Sequence, residues 1–154
     1  MGTYNLTKGD SRPAAMDYGQ IFVARIPIVV TEIIAANATL TANAKITAAD
    51  VIQIWDVPAG CVLLPGLAAF KIVAPGTASN TADIGIGGAT DYLFDGVALD
   101  SAAGTIEFVA DDQEWGTDNY GGLDFETTDT IDMIFVADEV TGSFVLYLPG
   151  YMCD

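Results

Sequence analysis

From Gln20 onward, apolar residues recur at every second position, and turns containing Gly or Pro interrupt them roughly every eight to twelve residues. A period of two places alternate side chains on opposite faces of a pleated strand. In "AFKIV" (69–73), Phe70 and Ile72 oppose Ala69 and Lys71; in "TIEFV" (105–109), Ile106 and Phe108 oppose Thr105 and Glu107. Both read as half-buried strands with the apolar side inward. Two runs carry apolar residues on both faces. In "DTIDMIFV" (129–136), Ile131, Met133 and Phe135 oppose Ile134 and Val136, and in "SFVLYL" (143–148), Phe144, Leu146 and Leu148 oppose Val145 and Tyr147. A strand apolar on both sides must be covered on both, by its own domain or by another subunit. Ile134, Val136, Val145 and Tyr147 are therefore candidate contacts with a partner.

The punctuation includes Pro58-Ala-Gly60, Pro65-Gly66, Pro75-Gly76, Gly87-Gly88, Asp95-Gly96, Gly121-Gly122 and Pro149-Gly150. Short strands at this spacing predict an all-β fold, an antiparallel β-sandwich or jelly-roll-like barrel. The segment 40–53 is the one helical possibility. Its threonines and Asn43 oppose the alanines, so at most a short turn is expected near Thr47–Asp50. Residues 1–19, "MGTYNLTKGDSRPAAMDYG", follow neither period. They read as an extended N-terminal arm ahead of a single β-sandwich domain over 20–154. The arm is either a flexible terminus or a segment that orders on a neighbouring subunit, for which Tyr4, Leu6, Met16 and Tyr18 supply apolar contacts.

Charge narrows the function. Against 21 Asp and Glu stand only Lys8, Arg12, Arg25, Lys45 and Lys71, a formal net charge of −16. Nucleic acid is held chiefly by Lys and Arg on phosphates, so neither DNA, RNA nor an anionic membrane surface is an expected partner. The chain has no histidine, which removes Ser-His-Asp and Cys-His catalysis and imidazole metal ligation. Cys61 and Cys153 form no CxxC, and whether they pair is left open by the sequence. The apolar stretch 21–36 is broken by Arg25, Pro27 and Glu32 and is too short for a membrane span. The start has neither the pattern of a secretory signal nor that of a myristoylation site.

Two acidic stretches are candidates for chemistry. "TADIGIGGATDYLFDG" (81–96) sets Asp83, Asp91 and Asp95 among glycines, but it lacks both the EF-hand pattern and the glycine-rich nonapeptide repeat of other calcium proteins. It reads instead as a strand, a Gly87-Gly88 turn, a short "YLF" strand and an Asp95-Gly96 turn. "DDQEWGTDNYGGLDFE" (111–126) has enough carboxylates for glycoside hydrolysis, yet nothing fixes an acid, a nucleophile or a pocket. Trp115 and Tyr120 beside Gly121-Gly122 form a candidate carbohydrate platform, which leaves a carbohydrate-binding β-sandwich module as the alternative function. Trp55 reads as a packing residue. No catalytic residue, metal ligand or cofactor is assigned.

The segments "AADVIQIWDVPAGCVLL" (48–64) and "DIGIGGATDYLFDGVAL" (83–99), with the start "TYNLTKGDSRP" and the end "GSFVLYLPGY", resemble small virion structural proteins of tailed bacteriophages, of the head decoration or cement kind. The resemblance touches most of the chain and is one of pattern. It implies an all-β domain, frequently a homotrimer, made in the host cytoplasm and docked on the outer surface of the capsid, with the major capsid protein as partner. It implies no enzymatic activity. The charge agrees: a protein at −16 is repelled by packaged DNA, so the outside of a shell is the favourable side.

Overall fold

The computed structural model describes residues 3–5, 21–48, 50–87, 89–109 and 122–153. Their strands are β1 (Thr3–Asn5), β2 (Ile21–Val29), β3 (Val51–Val57), β4 (Cys61–Leu63), β5 (Ala69–Ala74), β6 (Thr81–Ile86), β7 (Ala89–Ala98), β8 (Ile106–Phe108), β9 (Leu123–Phe125), β10 (Asp129–Phe135) and β11 (Ser143–Met152). They form two sheets, as the alternation predicts. The first runs β1-β3-β10-β6-β7, antiparallel except for the β1–β3 pair. The second runs β8-β5-β11-β4-β9, with β2 paired along the other side of β11.

Between the sheets lies one apolar core. Ile131, Met133 and Phe135 of β10 enter it from the first sheet; Phe144, Leu146 and Leu148 of β11 and Phe70 and Ile72 of β5 enter from the second. Phe70 stacks on Phe144 with ring centroids 5.5 Å apart. Trp55 is buried and meets the edge of Phe22 at 6.5 Å, the packing role expected of it. Cys61 points into this core, and burial, reinforced by nearby Cys153 and Asp124, pushes its thiol up to about 12. Met152 is the register partner of Cys61, so Cys153, one residue on, is exposed on the opposite side and both thiols are free.

Three departures from the sequence reading have local physical causes. First, two short helices, α1 (Val30–Ala36) and α2 (Ala38–Asn43), carry the chain from β2 towards β3, where no more than a turn was expected. Val30 and Ile33, one helical turn apart, are buried, and Gly142 accepts from the Val30 amide at 3.1 Å. The Asn37 side chain caps α2 by accepting from Thr39 and Leu40. The expected turn at Thr47–Asp50 is present as well, closed by Asp50 N–H to Thr47 O at 3.0 Å.

Second, Pro149-Gly150 is not a turn but lies inside β11. The Pro149 carbonyl accepts from Leu64 on the side where β11 changes partner from β5 to β4. The missing proline N–H points to the same junction, where no ladder bond is lost. Third, Asp95-Gly96 does not reverse the chain. It is a bulge within a continuous β7: Ala82 pairs with Val97 but Ile84 with Phe94, leaving one extra residue on β7. Gly96 supplies the positive φ of +70° there, and its amide donates to Asp83 Oδ1 at 2.9 Å.

Candidate interaction surfaces

With its core closed, the molecule offers two outer sheet faces and the loops that join them. The outer face of the second sheet is the more apolar. Its cross-strand rows follow from the register: Arg25, Tyr147, Ala69 and Phe108 form one, and Pro27, Val145, Lys71 and Ile106 form the next. Ile106 and Phe108 therefore point outward, against the expectation that their side of β8 is buried; Phe108 is 69% exposed. The cause is register. Glu107, not Ile106 or Phe108, stands opposite core residue Phe70. Ile21 and Val23 of β2 extend the apolar surface, Ile21 at 78% exposure. Val145 and Tyr147 belong to this face, and Val145 is nonetheless only 3% exposed. The face also carries Arg25 and Lys71, neither of which forms an ion pair among the described residues; away from this face, Lys45 pairs with Asp138 at 2.5 Å. The Lys45 ammonium, with the Ala48 amide, holds the Asp138 carboxyl below its ordinary range.

Ile134 and Val136 lie on the outer side of the first sheet, so the four candidate contact residues of β10 and β11 are divided between opposite surfaces. Ile134 is flanked by Val51 on β3 and Asp83 on β6, and Val136 is exposed. This surface is acidic. Burial raises the pKa of Asp83, the charges of Asp95 and Asp91 raise it further, and the Gly96 amide partly opposes them. Sequence reading separated these carboxylates by turns; the β6–β7 pairing brings them together. Among the described residues, no group of three His, Cys, Asp or Glu is placed to hold a metal ion.

Asp132, in β10 between Gln53 and Gly85, is 5% exposed, and its Oδ1 has no hydrogen-bond partner among the described residues. Burial raises its pKa, as does neighbouring Asp129, while a hydrogen bond from Thr130 acts in the opposite sense. A carboxyl whose folded pKa lies above its unfolded value favours the fold below the unfolded value, and that contribution is lost as pH rises through the folded one. Asp132→Asn removes the charge at equal size. It is expected to raise stability at pH 7 by about 1 kcal/mol, with the difference shrinking as pH falls towards about 4. Urea unfolding of both proteins at several pH values measures this; a difference independent of pH would contradict it.

The loop side of the sandwich is organised by a residue with no sequence signature. Glu139 is fully buried and accepts from the Thr77 amide at 2.8 Å, the Thr77 hydroxyl, the Asn80 side-chain amide at 2.9 Å, and the Val140 and Thr141 amides. Its backbone exchanges two 2.9 Å bonds with Ile46. In the sequence it looks like a solvated loop acid, because Thr77 and Asn80 lie about 60 residues away.

Of the arm residues, Tyr4 lies in β1 as the register partner of Ile52. Leu6, Met16 and Tyr18, and the carbohydrate-platform residues Trp115 and Tyr120, lie outside the described residues.

No family model matches this sequence. No curated protein matches it either. Solved structures do match. Over 92% of this chain and 90% of the other, the fold superposes on a chain from the capsid of Ralstonia phage GP4 with a TM-score of 0.60 and 16% identity. A chain from the capsid asymmetric unit of cyanophage Pam1 matches at 0.54 and 14% identity, over 95% and 96% of the two chains. A third, from the acidic stable capsid structure of Helicobacter pylori bacteriophage KHP30, matches at 0.55 and 11%, over 90% and 92%. The chain thus has a fold that occurs in phage capsid structures.

Proposed function

We propose that this protein is a phage head decoration, or cement, protein that binds the outside of the assembled capsid and reinforces it, without catalysis and without a cofactor. The observation that carries this reading is the likeness to chains of three phage capsid structures over at least 90% of every chain compared. The decoration role rests in addition on the pattern of residues 48–64 and 83–99. The charge of −16 favours the outer surface, away from packaged DNA. The major capsid protein is the partner, with residues 1–19 as an arm reaching it through Tyr4, Leu6, Met16 and Tyr18. The protein acts as an oligomer, for which the resemblance favours a trimer.

Reinforcement then follows from mass action. A ligand that binds only the assembled shell stabilises it by about 2.7 kcal/mol per site at a hundred times its dissociation constant. Heads lacking the protein are expected to release DNA at a lower temperature than complete heads, and purified protein added back is expected to restore the difference in proportion to occupancy. Identical release curves with and without bound protein would overturn the reading.

A further inference from the structure

The outer face of the second sheet is too apolar to be an ordinary solvated surface. At about 4.8 Å between strands and 3.4 Å per residue, the four strands β2, β11, β5 and β8 span on the order of 400 Å² at the length of the nine-residue β2. On that face Ile21, Val23, Ile106 and Phe108 are exposed, which makes it a candidate contact surface of about half the 800 Å² per partner of a standard protein interface. Charge selects the occupant. Arg25 and Lys71 sit on this face and form no ion pair among the described residues, in a chain with 21 Asp and Glu against five Lys and Arg. The opposite side of the same molecule offers the complement: apolar Ile134 and Val136, with Asp83 beside Ile134 and Asp91 and Asp95 close enough to Asp83 to raise its pKa.

We infer that the outer face of the second sheet docks on the Ile134–Val136 face of a second copy of this chain, pairing Arg25 and Lys71 with the carboxylates of β6 and β7. The contact is head-to-tail. Two copies related by a two-fold axis through the second-sheet face bring four cations onto one interface, which like-charge repulsion disfavours. Head-to-tail contacts make a ring where the rotation between copies closes and an open stack where it does not, and every internal copy uses both faces. Phe108 and Ile106, exposed in the single chain, become the apolar contacts, and the acidic cluster gains counter-charges that no described residue supplies. This rests on the oligomer in the reading above and not on attachment to a head.

The test uses the full chain and measures solution mass over a concentration series, by light scattering and native mass spectrometry. The wild type is expected to self-associate, and Arg25→Glu with Lys71→Glu to weaken association by at least about tenfold. Adding Asp91→Lys and Asp95→Lys to that double variant is expected to restore association, because both sides of the contact are then reversed. Phe108→Asp, on an exposed side chain that a folded single chain tolerates, is expected to give monomers with an unchanged circular dichroism spectrum. A wild type that stays monomeric at about 100 times the concentration at which it decorates heads would overturn the inference. So would an oligomer indifferent to Phe108→Asp and to the charge reversals, or a monomer that loses head binding through these same substitutions, since the occupant is then the shell. An intact oligomer that binds no head defeats the decoration reading alone.

Discussion

Glu139→Ala is expected to lower the free energy of unfolding by about 3–5 kcal/mol, since it takes the acceptor from several buried donors at about 1–3 kcal/mol for each one left unsatisfied. For a chain of this size that is a fall of roughly 10 °C in the thermal midpoint. The alanine leaves Thr77 N–H, the Asn80 amide and the Val140 and Thr141 amides facing a cavity, each having lost an acceptor. Glu139→Gln separates geometry from bonding. Its retained oxygen still serves Thr77, Val140 and Thr141, but its amide group confronts the Asn80 side-chain N–H₂, a donor against a donor. Asn80 cannot relieve this by flipping without loss, because its own oxygen accepts from Ala137 N–H at 2.9 Å. Glutamine is therefore expected to fall between wild type and alanine, and Asn80→Ala to cost less in the glutamine background than in the wild type. Thermal and urea unfolding of the wild type, the three single variants and the Glu139→Gln, Asn80→Ala double variant check this order. Equal stability of Glu139→Ala and wild type would show that the loops are held by other means.

The contrast between Glu139 and the strands explains what the sequence could disclose. A half-buried strand writes its environment into every second letter, so Phe70, Ile72, Ile131, Met133 and Phe135 were legible as core, and the two-faced strand 143–148 turned out to be β11, which β2 flanks on one side and β5 and β4 on the other. Alternation does not say which side is inward when both neighbours are unknown. That is why Ile106 and Phe108 were assigned inward although their register with Lys71 and Ala69 turns them out. The strand-to-helix change at Val29–Val30 left no cap residue, Gly or Pro to mark it, because the first helical amide is satisfied by Gly142 from more than a hundred positions away. Dipeptide turn signals failed where pairing overrode them: Pro149-Gly150 sits at a junction between partner strands and Asp95-Gly96 at a bulge. For the candidate surfaces, Val145, Tyr147, Ile134 and Val136 were legible as excess apolar residues. Their division between two faces, and the place of Arg25 and Lys71 on one of them, required the register.

Gly85→Ala is expected to be the most disruptive single methyl group in this fold, for a reason found in the segment 81–96. A Cβ on Gly85 would lie 1.9 Å from the Ala89 carbonyl oxygen and 2.7 Å from the Thr90 carbonyl carbon, so β7 begins in the space that a side chain would need. Both obstructing atoms are backbone, and they move only if the β6–β7 pairing moves with them. Overpacking of this kind costs about 3 kcal/mol, visible as a lower urea midpoint at unchanged slope if the unfolded surface stays the same. Gly96 is the control within the same strand pair. Nothing lies within 4 Å of its Cβ position, so Gly96→Ala meets only the left-handed backbone at φ +70°, a cost of about 1 kcal/mol. Gly96→Asn, which tolerates that region better, is expected to cost less again. If Gly85→Ala and Gly96→Ala proved equally mild, the close crossing of β7 over Gly85 would be wrong. Because Asp83 accepts from the Gly96 amide and lies next to Ile134, a displaced β7 also moves the carboxylates that the second copy is proposed to engage. Gly85→Ala is thus expected to weaken self-association as well as folding, whereas Gly96→Ala leaves association close to wild type.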